Sequence, residues 1–385
     1  MPRRRILVNT LSLTHGGGRS YVVNLLRELN RDARGFDFTI LTASQQLSQA
    51  EIGRLGVLNV RLPSPQVAAR VLFRVLYEEI LLPLRASRFD LLYCLADLAP
   101  AVHLAPTVVA LRNLNIYDRR FYDTPRLRIL ERMVRIGLRR ADRVVFPSRA
   151  AADLITRRIP IPPSRIVVIP HGISSEPFQT PAGPAPQGHA PYLFLPASLE
   201  RHKNIPVLLE CLPHLRDPRV EVWIAGGSET DPAHEAELRA LVARLGIGSR
   251  VRFLGRVPYE EVLAYYRGAL ALVFPSLIET FGHPLLEAML AGTPVLAADI
   301  PSFREIAGDA ALFFSPNDPL ELARMVDELR RDEAQTRARL ERGRARAREF
   351  SWARSVDRLC AVFEEAMGAA PAAAASLPRV TDETL

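Results

Sequence analysis

Short apolar or β-branched runs alternate with longer amphipathic stretches along nearly the whole chain. The runs predict strands at Ile6–Val8, Phe38–Leu41, Leu91–Cys94, Thr107–Leu111, Val144–Phe146 and Ile166–Ile169. Helical periods fall near Ser20–Asn30, Gln66–Leu82, Arg126–Arg140 and Ala150–Arg157. A proline-rich stretch without period follows, and then the pattern starts again with strands at Tyr192–Leu195, Val220–Ala225, Val251–Leu254, Ala271–Phe274, Pro294–Ala297 and Leu312–Phe314. From Pro319 to Met367 the chain reads as almost wholly helical. Such alternation predicts an α/β chain with two doubly wound parallel sheets. The expected division is a first domain over 1–178, a linker over 179–190, a second domain over 191–350, a last helix over 351–367 and a tail over 368–385 too poor in large apolar residues to bury a core.

Composition narrows this picture. With 385 residues, 48% of them hydrophobic, the chain can fill two full cores. Cys94, Cys211 and Cys360 are far apart and form no C-x-x-C pair, which argues against a disulfide framework or a zinc site and fits a reducing cytoplasm. Arg3–Arg5 and Ile6–Val8 resemble the start of a signal peptide, but Asn9, Thr10, Ser12 and Thr14 interrupt the apolar run, so a first buried strand is expected. No run of 18 apolar residues is present to span a bilayer.

The net charge of +8 is unevenly placed: residues 1–180 hold 27 Arg against 14 Asp and Glu, and the remainder holds 23 Lys and Arg against 28. Part of the excess forms a helical stripe, Arg128, Arg132, Arg135 and Arg139, beside Leu127, Leu130, Val134 and Leu138. A solvated face and a surface attracted to anionic lipid headgroups or an acidic acceptor both fit it. Nucleic acid is not expected, because no aromatic-basic binding module accompanies the charge.

Two motifs carry candidate chemistry. Lys203 is the only lysine in the chain and lies in Pro196-Ala-Ser-Leu-Glu-Arg-His-Lys-Asn204. Where arginine is otherwise used throughout, a compact ammonium points to a phosphate oxygen as its target. Downstream, Glu279-Thr-Phe-Gly-His-Pro-Leu-Leu-Glu287 sets two carboxylates around a Gly-Pro helix start. Gly282 allows close backbone approach, Pro284 suits a first helical position, and the free amides of a helix N-terminus attract anions. The structural alternatives are a solvated lysine, two surface glutamates and, at Gly16-Gly17-Gly18, a flexible turn.

Taken in order, Gly16-Gly17-Gly18, Val145-Phe146-Pro147-Ser148, Val168-Ile169-Pro170-His171-Gly172, Lys203-Asn204, Phe253-Leu254-Gly255-Arg256-Val257, Glu279-x7-Glu287 and Ala291-Gly292-Thr293-Pro294-Val295 resemble the family-4 retaining glycosyltransferases of GT-B fold. The resemblance implies two facing Rossmann-like domains with a cleft between them, the first on the acceptor side and the second on the donor side. It also implies that the last helix returns to the first domain. The implied activity is transfer of a hexosyl unit from a UDP-, GDP- or ADP-sugar to a saccharide or lipid-linked acceptor, in surface polysaccharide assembly at the inner face of the membrane.

No cofactor or metal is expected, and no D-x-D triplet occurs. By resemblance Lys203 and Glu279 are catalytic, while Glu287 holds the ribose hydroxyls and Gly17, Gly18, Ser198, Phe281, Gly282, His283, Pro284 and Leu286 complete the donor site. Two positions depart from the family pattern. Ser198 stands where an arginine is common, with Arg201, His202 or Arg19 as candidate replacements, and Arg112 and Asn113 stand in the cleft where a histidine is common, a core-edge ion pair being the alternative reading. A nucleotide-sugar 2-epimerase and a non-catalytic nucleotide-sugar-binding protein share the two-domain plan. A nicotinamide dehydrogenase is disfavoured by the missing G-x-G-x-x-G.

Overall fold

The computed structural model describes residues 3–11, 16–43, 47–60, 73–95, 97–112, 118–121, 123–179, 190–227 and 231–368. Asn113, most of the proline-rich stretch and the tail beyond 368 lie outside the described residues.

Strands β1 (Arg4–Asn9), β2 (Phe36–Ala43), β3 (Gly56–Val60), β4 (Leu91–Cys94), β5 (Thr107–Ala110), β6 (Arg143–Phe146) and β7 (Ile166–Val168) form one sheet in the order β3-β2-β1-β4-β5-β6-β7. A second sheet joins β8 (Tyr192–Pro196), β9 (Glu221–Ala225), β10 (Val251–Gly255), β11 (Ala271–Phe274), β12 (Val295–Ala298) and β13 (Leu312–Phe314) in the order β10-β9-β8-β11-β12-β13. Pairing is parallel throughout, with Ile6 opposite Phe38 on one side and Leu91 on the other. Helices cover both faces of such sheets, so the strands read as continuous apolar runs, as in the fully buried Leu-Leu-Tyr-Cys of β4. The doubly wound α/β expectation is met in both halves.

One strand escaped the sequence reading. β3 is Gly-Val-Leu-Asn-Val at the sheet edge, mostly outside the core, and its glycine and asparagine weaken the strand signal. The expected helix 66–82 lies partly outside the described residues. Residues 61–72 are not described, and the helical run over 73–86 contains a wide π turn, Tyr77–Leu81, that precedes Pro83.

The helices that position the site are α1 (Gly16–Arg31), α2 (Pro125–Arg140), α3 (Arg149–Thr156), α4 (His283–Ala291), α5 (Pro301–Ala307) and α6 (Trp352–Ala366). Helix α1 begins at Gly16, so Gly16-Gly17-Gly18 is its first turn and not a loop ahead of it.

α6 lies against the first sheet together with α1. Phe363 is fully buried, edge-on to Phe36 at 6.1 Å and Tyr93 at 5.1 Å. Trp352, Val356, Leu359 and Val362 share that core with Ile6, Val8, Phe36 and Phe38. Where the returning chain crosses 170–173, the Ile173 amide donates to Phe350 O (2.9 Å) and the Ser355 hydroxyl to Pro170 O (2.7 Å). A Cβ on Gly172 would lie 2.3 Å from the Trp352 nitrogen, so only glycine permits this crossing.

Candidate functional site

β8 lies between β9 and β11, so connections leave it in opposite directions and a crevice opens at the carboxyl ends of β8 and β11. Lys203 follows β8 and Glu279 follows β11, which places the two predicted residues on the two walls of that crevice. The loops are tied by a bond from the Leu277 amide to His202 O (2.8 Å). Arg201–Lys203 form a 3-10 turn closed by Asn204, whose φ is +52° and whose side chain donates to Pro316 O (2.7 Å).

Lys203 Nζ stands 2.5 Å from Glu279 Oε1, with side-chain exposures of only 16% and 17%. Burial raises the Glu279 carboxyl pKa, but the Lys203 ammonium and then His202 outweigh it, and the group ionises below its usual range.

Helix α4 starts immediately after Glu279-Thr280-Phe281-Gly282. Gly282 has φ +97°, and a Cβ there would meet Phe303 at 2.9 Å. Among the described residues no side chain caps the helix, leaving its positive end to another partner. His283 takes the first helical position and Pro284 the second, one later than the sequence reading had it. Glu287 lies one turn along, its Oε2 accepting from the Tyr266 hydroxyl (2.8 Å).

Two of the expected donor residues, Leu286 and Phe281, have packed side chains and would meet a ligand through the backbone alone. Leu286 is 0% exposed in the second core, and Phe281 is wedged between His171 (4.9 Å) and Phe350 (5.7 Å). Their side chains are unavailable to a ligand.

Ser198 is half-buried in the loop after β8. The candidates for its missing charge are already spent: Arg201 is bonded to Asp231 and, through both terminal nitrogens, to Glu237, and Arg19 to Glu51 at 2.6 Å. His202 is buried; desolvation first and the Lys203 charge second bring its pKa down to about 4, so it is neutral at pH 7.

The first half contributes through an interface. Ser148 caps α3 and donates to Thr280 O (2.7 Å), while both Glu305 oxygens accept from the Arg149 and Ala150 amides (2.7 and 2.8 Å). A carboxylate on α5 of one half thus neutralises the N-terminus of α3 in the other. Arg112 lies 3.8 Å over the Tyr21 ring, its backbone amide held by Asp97 Oδ1 at 2.5 Å. Tyr21 packs on His171 (4.6 Å) and Trp352 (5.0 Å), and His171 stacks on His283 (5.0 Å). Burial, then the Arg112 charge, lowers the His283 pKa to about 4 and holds His171 well below its ordinary value.

Tyr21, Glu305 and Trp352 carried no recognisable sequence signal, whereas Ser148 and His171 stood within stretches already singled out. Beside the interface lies a cavity of about 210 Å³, bounded by Arg120, Leu154 and Arg158 from one half and Ile278, Glu279 and Pro301 from the other.

Comparison with known proteins agrees with this geometry. Residues 15–176 match the family described as Glycosyltransferase Family 4, and residues 181–347 match Glycosyl transferases group 1. The chain is 31% identical over 247 residues to the O-antigen chain mannosyltransferase B of Escherichia coli, covering 60% of this chain and 63% of that one. It is 30% identical over 306 residues to the D-inositol 3-phosphate glycosyltransferase of Thermomonospora curvata, covering 73% and 69%. The match spans less than two thirds of several other such relatives, 61% for that of Streptomyces avermitilis. In fold it is similar to Anabaena HepE solved in complex with UDP-glucose, with a TM-score of 0.72 at 18% identity over 94% of this chain and 100% of that one. With one family description on each half and relatives aligned across the join, the chain belongs to the family-4-type glycosyltransferases and has their GT-B fold.

Proposed function

We propose that the protein is a retaining hexosyltransferase that moves a sugar from a nucleotide-sugar donor to a saccharide or lipid-linked acceptor in surface polysaccharide assembly. The observation that carries this reading is the Lys203–Glu279 pair on the two walls of the β8/β11 crevice, beside the uncapped start of α4. The mannosyltransferase relative and the UDP-glucose complex of HepE support the same class of donor.

As the bond from the anomeric carbon to the β-phosphate oxygen breaks, negative charge gathers on the diphosphate. Lys203 and the α4 amides meet it there without a metal. The donor phosphate replaces Glu279 as partner of the ammonium, and Glu279 turns to the sugar, whose ring becomes positive. Glu287, steadied by Tyr266, accepts from the ribose hydroxyls. The acceptor oxygen bonds the anomeric carbon on the face the phosphate leaves, and its proton passes to the departing phosphate oxygen.

A membrane-borne acceptor suits the surface of the first half. Leu76, Ile80 and Leu84 on the 73–86 helical run, Val102 and Leu104 on the next loop, and Ile129 and Ile136 on α2 are large apolar side chains open to solvent. These elements meet at Ala101, whose amide donates to Glu79 Oε2 (2.8 Å) and whose carbonyl accepts from Arg140. Exposed Arg88, Arg132 and Arg139 lie on the same elements or beside them, a combination that favours an anionic bilayer face. Among the described residues no helix is long and apolar enough to cross a membrane.

Lys203→Ala tests the chemistry. Transfer is expected to fall roughly 10²- to 10³-fold with the fold retained, and a rate within a few-fold of the parent removes Lys203 from the mechanism. An unchanged rate in chelator checks metal independence. Sugar epimerised in the absence of acceptor replaces the transferase reading with the epimerase one.

A further inference from the structure

Among the charged groups around the crevice, Arg112 is distinguished by what it lacks. Arg201, Arg19 and Lys203 each end on a carboxylate. Among the described residues the Arg112 guanidinium pairs with no carboxylate, and its Nε and Nη1 are buried without a hydrogen-bond partner. Asp97, the acid whose charge acts on Arg112, spends an oxygen on the Arg112 backbone amide and has a left-handed φ of +60°. A buried cation with open donors is costly unless an anion completes it.

The surroundings say where that anion lies. Arg112 rests on Tyr21, Tyr21 touches His171, and His171 stacks on His283, the first residue of uncapped α4. The unpaired guanidinium of one half and the positive helix end of the other therefore converge on the same interface. Both imidazoles between them are held neutral, so neither is repelled by the guanidinium.

We propose that Arg112 is the second cation of the donor diphosphate, reaching it from the first half and standing in for the charge absent at Ser198. This rests on the nucleotide-sugar reading above. The planar fork donates two hydrogen bonds to phosphoryl oxygens, which links donor binding to contact between the halves.

Calorimetric titration of the full chain with UDP, GDP and ADP, and with uridine, guanosine and adenosine, tests it in the parent, Arg112→Met and Arg112→Lys. For whichever diphosphate the parent binds, Arg112→Met is expected to weaken affinity about 10- to 100-fold, with the matching nucleoside changed less than about two-fold. Arg112→Lys is expected to recover part of the loss. Ligand-free Arg112→Met should melt no lower than the parent, because an unpaired buried charge has been removed. Equal loss for diphosphate and nucleoside, no loss for either, or a lower melting point overturns the proposal and leaves a structural arginine. If the parent binds none of the three diphosphates, the nucleotide-sugar reading falls with it.

Discussion

On the proposed function, Lys203 and Glu279 illustrate how a binding residue is kept ready without its ligand. A buried ammonium is costly without a counter-charge; the adjacent carboxylate supplies one, and in the proposed reaction a phosphate takes its place. The neighbouring imidazoles give this arrangement a pH signature. His202 and His283 have folded pKa values of about 4 against an ordinary 6.5. Between those values the unfolded chain holds protons that the folded chain refuses, so stability is complete above about pH 6.5 and is lost as pH falls through about 4. His202 alone contributes on the order of 3 kcal/mol across that window. The lowered Glu279 carboxyl acts in the same sense, while buried Glu78, raised by desolvation, opposes it. A melting temperature several degrees lower at pH 5 than at pH 7.5 is expected, and a flat profile would show that these imidazoles are reached by water. Residue identity pointed to Lys203, Glu279 and Arg112, but not to their pairing. Whether an arginine is spent or open depends on neighbours as distant in sequence as Asp231 and Glu237, which no local pattern reveals.

Elements were more legible than contacts. All six strands of the second sheet and six of the seven in the first follow apolar runs, because strands buried on both faces leave little room for polar residues. β3 was missed because an edge strand escapes that constraint, and the described helical run over 73–86 continues to Ala86, past the expected end at Leu82. The joining of the halves was illegible, since it depends on helix ends. Glu305 caps α3 across the interface, and Arg346 in turn holds the end of α5 by donating to Ile306 O (3.0 Å) and Glu305 O (2.7 Å). Glu305→Ala is expected to remove about 1 kcal/mol from the closed arrangement, giving a larger radius of gyration by small-angle scattering with unchanged helix content. An unchanged radius would show that the cap does not hold the halves together.

At the scale of the whole molecule, Lys203, Glu279 and the start of α4 lie beside the interface, while the first half carries an exposed apolar and basic surface. The predicted arginine stripe is part of that surface: Arg128, Arg132 and Arg139 are exposed, and Arg135 is partly covered and paired with Glu131 at 3.3 Å. Ile129 and Ile136, beside the stripe, give α2 an apolar face that charge counting alone did not anticipate. The full chain is expected to sediment with phosphatidylglycerol vesicles and not with phosphatidylcholine vesicles. Replacing both Ile80 and Leu84 by Ser should reduce binding about tenfold or more, with transfer to a soluble acceptor unaffected. Equal sedimentation of parent and variant would place the docking surface elsewhere.

The return of α6 also sets an order of events during synthesis. Phe36, Phe38 and Tyr93 leave the ribosome well before the side chain that seals them, Phe363, which emerges more than 250 residues later. Until then the nascent first half presents an open greasy groove, a natural client for chaperones, and a message cut short before Trp352 yields a protein that cannot close this core.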